Sequence, residues 1–171
     1  MCVDGLVDVA VIGAGASGAL VAVQFARHAR QDARLALIGA GERPARGVAY
    51  ATRFRSNLLN VRAGNMSAFA DAPQDFICWL NRHYPEMDGM TFAPRQVYGD
   101  YLAGVLAEAL QSGLVLPVDS EAIGLERALD AQSWNITLQD GGIVQARSVV
   151  LAVGNVLAPA DPLDMSEIEQ F

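Results

Sequence analysis

Apolar positions follow two different spacings along this sequence. Up to about residue 111, most apolar side chains recur every three or four positions, which is typical of amphipathic helices. From Leu114 onward apolar and polar residues alternate, which is typical of β-strands with one buried face. The pattern therefore predicts helices in the first two thirds of the chain and a group of short strands in the last third.

The first predicted unit is a strand, a helix and a second strand. Val9 to Ile12 is a continuous apolar run, and a helical pattern follows a short glycine-rich segment. Small and apolar residues share one face of that helix: Ala19, Ala22, Val23 and Ala26. A second strand, Arg34 to Ile38, would complete a βαβ unit of about 30 residues.

The middle of the chain predicts a long loop and two helices. Residues 51 to 70 follow neither period, which favours a functional excursion, because their apolar content argues against disorder. Asp71 can cap a helix that Pro73 helps to start. A further helix is predicted from about Arg95 to Gln111, with Gly113 suited to its carboxyl end.

The last third predicts an antiparallel meander and a final parallel strand. Short strands are predicted at 114–118, 120–128, 133–138 and 143–146, with a turn at 140–142. The apolar run from Ser148 to Gly154 is typical of a central parallel strand that leads into a loop at the ligand edge. The predicted fold is α/β: a Rossmann-like three-layer nucleotide-binding domain with a parallel sheet and a small antiparallel β-meander.

Composition narrows the class of protein. The 171 residues are 52% hydrophobic and 18% charged, which predicts one globular domain over 1–171, with 155–171 as a tail. A net charge of −7 argues against a nucleic-acid or anionic-membrane partner. Val9 to Val23 is the longest stretch without a charged or amide side chain, too short to span a membrane. Asp4 and Asp8 argue against an export signal, so a cytoplasmic location is expected.

Cysteines and histidines give no sign of a metal site. Cys2 and Cys78 have no CxxC spacing, and the apolar helical pattern around Cys78 predicts a buried packing role. His28 and His83 lie in polar surroundings without a neighbouring nucleophile or ligand, so both are expected at the surface.

The glycine-rich segment carries the clearest chemistry. Its predicted ligand-binding residues are Gly13, Ala14, Gly15, Ala16, Ser17 and Gly18. In this GxGxxG pattern the first glycine permits a tight turn, the second lets backbone approach a pyrophosphate, and the third lets the helix pack closely on the strand. The helix amino terminus attracts the phosphates. A glycine-rich turn without a ligand and a methyltransferase-type loop are the alternatives. Gly15→Val should abolish dinucleotide binding while the fold is kept.

An expected acid is missing at the end of the second strand. Dinucleotide-binding folds usually place Asp or Glu there to bind a ribose, but this chain has Gly39. Glu42 could substitute by reaching back, or it is a solvated loop residue. Gly39→Glu should then tighten binding, provided that the backbone does not need a positive φ. Arg43 and Arg46 could meet a phosphate, although solvated loop charges are the favoured interpretation.

The order of elements resembles the FAD-binding half of the two-dinucleotide-binding-domain flavoproteins. There a GxGxxG unit is followed by helices, a meander and a strand that ends in an Ala-Thr-Gly-like turn. The corresponding turn here is Ala152-Val153-Gly154-Asn155, in which Val153 replaces threonine. The resemblance therefore implies a backbone approach at Gly154 without a threonine contact.

The middle segments are similar to a more specific group, the FAD/NAD(P)-binding protein family of bacteria. The matching segments are Gly47–Tyr50, Leu58–Val61, Met66–Phe69, Asp75–Leu80 and Pro94–Leu102. The family is distantly similar to lysine and ornithine N-hydroxylating monooxygenases, and the resemblance covers residues 6 to about 160.

This resemblance implies roles for several residues. Asn60, Met66 and Ser67 would lie near the flavin, and Ala122 would lie near the adenine. Arg95 would either pin the excursion or contact the cofactor. The family pattern has an acid where Gly39 stands, so Gly39 is a departure from it.

The sequence therefore predicts an FAD-binding domain of a flavin-dependent oxidoreductase or monooxygenase, with no catalytic side chain assigned. NAD(P) could occupy the same site, and a non-catalytic NAD(P)- or FAD-binding sensing module is the alternative. One glycine fingerprint and only residues 155–171 after the Gly154 turn imply that this chain alone is not a working enzyme. It is expected to bind FAD weakly, and it could form a homo-oligomer that covers exposed apolar surface.

Overall fold

The computed structural model describes residues 5–129 and 132–155. Cys2 and the predicted tail beyond residue 155 lie outside the described residues. The elements follow the predicted order and have the following bounds: β1 Leu6–Ile12, α1 Ala16–His28, β2 Leu35–Ile38, α2 Gly47–Tyr50, a 3-10 turn Ala63–Asn65, α3 Asp75–His83, α4 Arg95–Gln111, β3 Val115–Val118, β4 Ala122–Arg127, β5 Trp134–Leu138 and β6 Ile143–Leu151.

The strands form one six-stranded mixed sheet in the order β3-β2-β1-β6-β5-β4. The four strands β3, β2, β1 and β6 are parallel to one another. The strands β4 and β5 continue the sheet with antiparallel pairing. This arrangement, with helices packed on the sheet, confirms the predicted α/β Rossmann-like class.

The strand β6 belongs to both parts of the sheet. Residues 143–146 pair antiparallel with β5, and residues 145–151 pair parallel with β1. The sequence predicted two separate elements here, a meander strand ending at Ala146 and a parallel strand starting at Ser148. That division is wrong, because Arg147 continues the extended backbone and the two ladders overlap at Gln145 and Ala146.

Two groups of buried side chains lie on opposite faces of the parallel strands. In β2, Leu35 and Leu37 belong to one group and Ala36 and Ile38 belong to the other, as the alternation of a strand requires. The first group includes the buried faces of α1, α3 and α4. Among the described residues, the second group comes from strands alone and joins β1, β2 and β3 to β5 and β6. Helices therefore cover one face, and the antiparallel strands help to bury the other.

The helix α4 is the main support of the helical layer. It packs against α1, and its buried residues include Tyr98, Tyr101, Leu102 and Leu106. The Tyr101 hydroxyl donates to the Asp75 carboxylate at 2.7 Å and accepts the Ala68 N–H at 3.2 Å. Burial and the neighbouring carboxylate raise the pKa of Tyr101, so its hydroxyl stays protonated.

Two predictions about α3 are wrong. The helix begins at Asp75 with Gln74 as its N-cap residue and has no side-chain cap, so Asp71 lies three residues before the cap position, and its carboxylate pairs with Arg27 at 2.7 Å. That hydrogen bond lowers the pKa of Asp71. Cys78 is exposed, since the buried side of α3 is formed by Phe76 and Leu80. The sequence misplaced Cys78 because a neighbour of an apolar stripe need not lie within it.

Both histidines lie at the surface, as expected: His28 at the end of α1 is exposed, and His83 stacks on Trp79. Gly113 follows α4 with φ of 72°, which agrees with its predicted position at the carboxyl end of this helix.

Candidate functional site

The carboxyl ends of the parallel strands meet at one edge of the sheet. Ile12 at the end of β1 is paired with Ile38 of β2 and with Leu151 of β6. Ile38 is in turn paired with Val118 at the end of β3. The loops that follow these strands therefore gather at the edge where open α/β sheets bind ligands.

Two glycines of the GxGxxG segment are required by close backbone packing. Gly13 has φ of 102°, and a Cβ there would overlap the carbonyl oxygen of Ala152. A Cβ at Gly18 would overlap the carbonyl oxygen of Gly13. These contacts agree with the tight turn predicted for Gly13 and the close helix–strand packing predicted for Gly18.

The amino terminus of α1 faces the space in front of this loop. Gly15 is the N-cap residue, no side chain caps the helix, and its first turn contains no acidic residue. The first N–H groups of an α-helix have no partner within the helix and carry partial positive charge. Ala16 and Ser17 line the space together with Gly15, so this end of the helix is suited to an anion.

This space is a cleft of about 300 Å³ between two walls. The glycine loop forms the first wall, residues 46–49 form the second, and residues 152–155 after β6 close it on a third side. The lining residues are Gly13, Gly15, Ala16, Ser17, Arg46, Gly47, Val48, Ala49, Ala152, Val153, Gly154 and Asn155. The predicted Gly154 is therefore part of the cleft, whereas Ala14 and Gly18 are buried behind it.

The two walls are in contact at Gly15 and Gly47, at one side of the cleft. A Cβ built at Gly15 would lie 3.4 Å from the Gly47 Cα. Any longer side chain at Gly15 would therefore project toward the opposite wall. A backbone surface without side chains, opposite a helix amino terminus, fits a diphosphate group.

A second cleft of about 480 Å³ extends the first. The two share Val48, Ala49 and Asn155 as lining residues, and the second continues to Thr52, Asn57, Leu58 and Arg95. The combined groove is elongated and passes from the glycine loop to the start of α4. An elongated groove of this kind suits a ligand with two connected nucleotide-like halves.

The segment that forms the second wall is fixed to both neighbouring elements. The Ala45 N–H donates to the Ala14 carbonyl at 2.8 Å, and Ala45 adopts φ of 68° although it is not a glycine. On the other side, α2 lies so close to α4 that a Cβ at Gly99 would be 2.8 Å from the Tyr50 carbonyl oxygen. The rings of Tyr50 and Tyr98 add an edge-to-face contact with centroids 5.0 Å apart.

Arg46 has a different role from the predicted solvated loop charge. Its Nη1 lies 2.6 Å from Oδ1 of Asp100, and only 17% of its side chain is exposed. The favoured interpretation of a solvated charge is therefore wrong for Arg46. Its partner is the carboxylate of Asp100 on α4, which lies too far away in sequence to be predicted from spacing. Arg43 is exposed and does not line either cleft, which agrees with the solvated-charge interpretation.

Arg95 is hydrogen-bonded to the irregular segment 51–70. Its Nε donates to the Leu58 carbonyl at 3.0 Å, and its backbone N–H donates to the Asn57 carbonyl at 2.8 Å. Arg95 also lines the second cleft. The sequence left pinning and ligand contact as alternatives for this residue, and the pinning contacts are present in the structure.

The end of β2 explains why an acid is absent there. Gly39 has φ of 82°, a conformation that residues with a side chain rarely adopt. Its N–H donates to the carbonyl oxygens of Val118 and Ser120. The condition attached to Gly39→Glu is therefore not met, and that substitution would strain the backbone. Glu42 is exposed, and its role toward a ribose stays a prediction.

The residues assigned by resemblance lie outside the two clefts. Asn60 is exposed, and Met66 packs against the helical side of the core. The Ser67 hydroxyl donates to the Ala72 carbonyl at 2.7 Å and accepts the Phe69 N–H. Ala122 opens the edge strand β4 and pairs with Leu138. Their proposed proximity to flavin or adenine stays a prediction.

Three residues that support the site were not assigned a role from the sequence. Asp100, Gly99 and Tyr50 fix the second wall to α4. The sequence signals were the family-like segments Gly47–Tyr50 and Pro94–Leu102, which contain all three residues, and a glycine inside the helical pattern of α4, where a glycine weakens the helix unless packing needs it. Within the described residues there is no cluster of three or more potential metal ligands. No helix in that same part of the chain could cross a membrane.

Comparison with known proteins agrees with this geometry. A family model described as FAD-NAD(P)-binding matches residues 10–156. No curated protein sequence gives a significant match.

Several solved flavin-enzyme structures share the fold. A structure of cyclohexanone monooxygenase from Rhodococcus sp. Phi1 bound to NADP+ superposes with a TM-score of 0.64 at 22% identity, over 90% of this chain and 27% of that one. A structure of OTEMO in complex with FAD and NADP gives 0.61 at 20% identity, over 91% and 27%. The closed structure of cyclohexanone monooxygenase gives 0.62 at 21%, over 92% and 28%. This chain thus spans little more than a quarter of the length of these proteins.

Proposed function

Because the chain belongs to the FAD-NAD(P)-binding family, we propose that its glycine-lined cleft holds FAD as part of a flavin-dependent oxidoreductase or monooxygenase. The observation that carries this proposal is the cleft lined by the glycine loop and residues 46–49, beside the contact between Gly15 and Gly47. It is lined by backbone at the uncapped amino terminus of α1 and lies at the carboxyl edge of the parallel strands. Both features favour the diphosphate of a dinucleotide.

The chain's own residues would bind and orient the cofactor. The N–H groups at Ala16 and Ser17 would hold the diphosphate, and residues 152–155 would close the cleft around it. When bound, the flavin supplies the electron-transfer chemistry, while the protein supplies position and electrostatics. The groove toward Arg95 gives the second half of the cofactor a direction in which to extend.

The finer contacts belong to the same proposal. Glu42 is the acid that would reach a ribose in place of the absent acid at Gly39. Asn60, Met66 and Ser67 would lie near the flavin, and Ala122 near the adenine. Their support is the match of the middle segments to the family pattern described above.

Monooxygenase activity is proposed for the whole protein to which this domain corresponds. The fold is shared with cyclohexanone monooxygenase and OTEMO, at identities near 20%. We also propose a bacterial origin and a distant relationship to lysine and ornithine N-hydroxylating monooxygenases, which rest on segments such as Gly47–Tyr50. NAD(P)H would be the reductant in such enzymes.

The proposal also covers organisation and location. Residues 1–171 would form a single domain with a cytoplasmic location, supported by the acids Asp4 and Asp8 near the start of the sequence and by the low cysteine content. Exposed apolar side chains on the edge strand β4, Ile123 at 67% and Leu125 at 39%, would favour pairing with a second copy.

The test begins with an absorbance spectrum of the purified protein and a calorimetric titration with FAD and with NAD+. Gly15→Val is then titrated in the same way. The Gly15 backbone is extended, with φ of −69° and ψ of −169°, so a residue with a side chain can adopt it, and the valine methyl groups would project toward Gly47 while the fold should be kept. The matched control is Gly104→Val on the exposed side of α4, where the nearest atom to a new Cβ is 3.9 Å away.

We expect the wild-type protein and Gly104→Val to bind FAD, and Gly15→Val to lose it with an unchanged circular dichroism spectrum. Unchanged affinity of Gly15→Val for both nucleotides would contradict the assignment of the cleft. Binding of NAD+ in preference to FAD, without NADPH-dependent oxygen uptake, would favour the alternative of a non-catalytic sensing module.

A further inference from the structure

Among the described residues, one ionisable side chain lines the first cleft. Of the twelve residues that line it, only Arg46 carries a charge, and the others are glycine, small apolar residues, Ser17 and Asn155. The chain as a whole has a net charge of −7. An anionic group in this cleft would therefore meet a single side-chain cation, placed on the wall opposite the amino terminus of α1.

The position of Arg46 is fixed by Asp100. The Nη1–Oδ1 distance of 2.6 Å is that of a charge-assisted hydrogen bond, and the Arg46 side chain is largely buried. A guanidinium group has five N–H donors in a planar fork. Among the described residues, Asp100 is the one side-chain hydrogen-bond partner of Arg46. One nitrogen is thus held by α4, and the other donors are available for a ligand.

The backbone next to Arg46 is fixed as well. Ala45 is fully buried in a left-handed conformation that costs about 1–2 kcal/mol for a residue with a side chain. Its N–H bond to the Ala14 carbonyl ties it to the glycine loop. Strained residues of this kind persist where surrounding contacts over-determine them, and they cluster at ligand sites. The strain therefore agrees with a defined distance between the Arg46 Cα and the glycine loop.

We infer that Arg46 is the side chain that binds a phosphate of the dinucleotide, and that Asp100 is the residue that positions it. This inference rests on the proposed function. Arginine binds phosphate through two parallel N–H···O bonds, which a lysine cannot reproduce. The two walls then hold the diphosphate from opposite sides, through helix N–H groups on one side and the guanidinium on the other. The competing explanation is that the ion pair only fastens the second wall to α4.

The first experiment measures FAD affinity by calorimetry at low and high ionic strength for wild type, R46Q, R46K and the matched control R43Q. Loss of a hydrogen bond between charged groups corresponds to a roughly ten- to hundredfold weaker affinity, which we expect for R46Q. R46K should be weaker than wild type by about threefold or more, because it keeps the charge and loses the fork. R43Q should stay within twofold, since Arg43 lies outside the cleft.

Ionic strength separates a phosphate contact from a structural tie. Salt screens the attraction between Arg46 and the phosphate, so added salt should weaken wild-type binding relative to R46Q binding, while screening of the net charge of −7 affects both proteins alike. R46Q should show a weaker salt dependence, whereas a purely structural role would weaken FAD binding and leave the salt dependence unchanged. R46Q affinity within twofold of wild type, or an unchanged salt dependence, would overturn the inference. If R46Q does not unfold cooperatively, R46K decides: equal affinity to wild type contradicts the bidentate contact.

A double-mutant cycle tests the role of Asp100. A residue that acts through Arg46 should weaken FAD in the D100N variant and have no further effect in the R46Q/D100N double variant. Additive effects would show that Asp100 acts by another route and would reject its positioning role. Failure of the wild-type protein to bind FAD at all would refute the proposed function itself, which distinguishes that outcome from failure of the variants alone.

Discussion

The two walls of the candidate cleft are built in different ways. The glycine loop is held by backbone packing, in which Gly13 and Gly18 have no room for a Cβ. The opposite wall, residues 46–49, combines the backbone bond from Ala45 to Ala14 and the close approach of Tyr50 to Gly99 with one side-chain bond, Arg46–Asp100. The first wall is therefore held by backbone alone and is intolerant of substitution, whereas the second also has a side-chain bond that can be altered by itself. A site of this kind can vary its ligand contacts on one side without losing the fold.

The largest effect should come from the first wall. Gly18→Ala places a Cβ against the Gly13 carbonyl oxygen, so the loop must shift. We expect the free energy of unfolding to fall by about 3 kcal/mol, at the upper end of the cost of overpacking. Urea unfolding followed by circular dichroism measures it.

Gly104→Ala is the matched control, because it is the same substitution at an exposed helical position where the nearest atom to a new Cβ, Trp79 Nε1, is 3.9 Å away. It should raise the free energy of unfolding by up to about 1 kcal/mol through helix propensity. If Gly18→Ala instead unfolds within 1 kcal/mol of wild type, backbone packing does not define the first wall.

An intermediate effect, on the affinity for FAD, is expected at Glu42, which precedes the second wall in sequence. If Glu42 binds a ribose, Glu42→Ala should weaken FAD by roughly 1.5–3 kcal/mol, the value of hydrogen bonds from a charged acceptor. Calorimetric titration measures the change, and an affinity loss below about threefold would reject this role. Gly39→Glu cannot serve as a rescue, since φ of 82° at Gly39 disfavours a side chain.

The smallest effect should come from a single bond behind the second wall. Tyr101→Phe removes the hydroxyl that bridges the Asp75 carboxylate and the Ala68 N–H. We expect a loss of about 1–2 kcal/mol in the free energy of unfolding, since two polar groups lose their partner. Amide hydrogen exchange should also become faster at Ala68, whereas exchange in β1 should be unchanged.

Tyr98→Phe is the control for that substitution. Tyr98 belongs to the same aromatic cluster, and its hydroxyl has no hydrogen-bond partner among the described residues. Its loss should change the free energy of unfolding by less than about 0.5 kcal/mol. Equal effects of the two substitutions would mean that ring packing, and not the hydroxyl bridge, supports residues 66–69.

The same contrast explains which features the sequence could predict. The first wall could be predicted because a strand, a GxGxxG segment and a helix follow one another directly in sequence. Each glycine in that segment is required by the local backbone geometry. The helix α4 could be predicted from the spacing of its apolar residues over 17 positions. The continuous strand β6 was not, because its polar residues Gln145, Arg147 and Ser148 interrupt the apolar run.

The second wall could not be predicted because its contacts join residues far apart in sequence. Arg46 and Asp100 are separated by 54 positions, and Arg27 and Asp71 by 44. Neither pair follows from spacing, since the path of residues 51–70 between them has no regular period. For the same reason Asp71 was assigned to a helix cap, when its partner lies on α1.

The pairing of β1 with β6 has a consequence for the order of events during synthesis. Leu6 pairs with Gln145 and Ile12 with Leu151, so the two central strands are 139 positions apart. Contacts of such long range are slow to form, because the intervening chain must first close a loop. In the glycine loop, Gly13 also packs closely against the backbone of Ala152. We therefore expect the nascent chain to leave the β6-facing edge of β1 unpaired until β6 has left the ribosome, even after β1 has paired with β2, which makes that edge a site for chaperone protection.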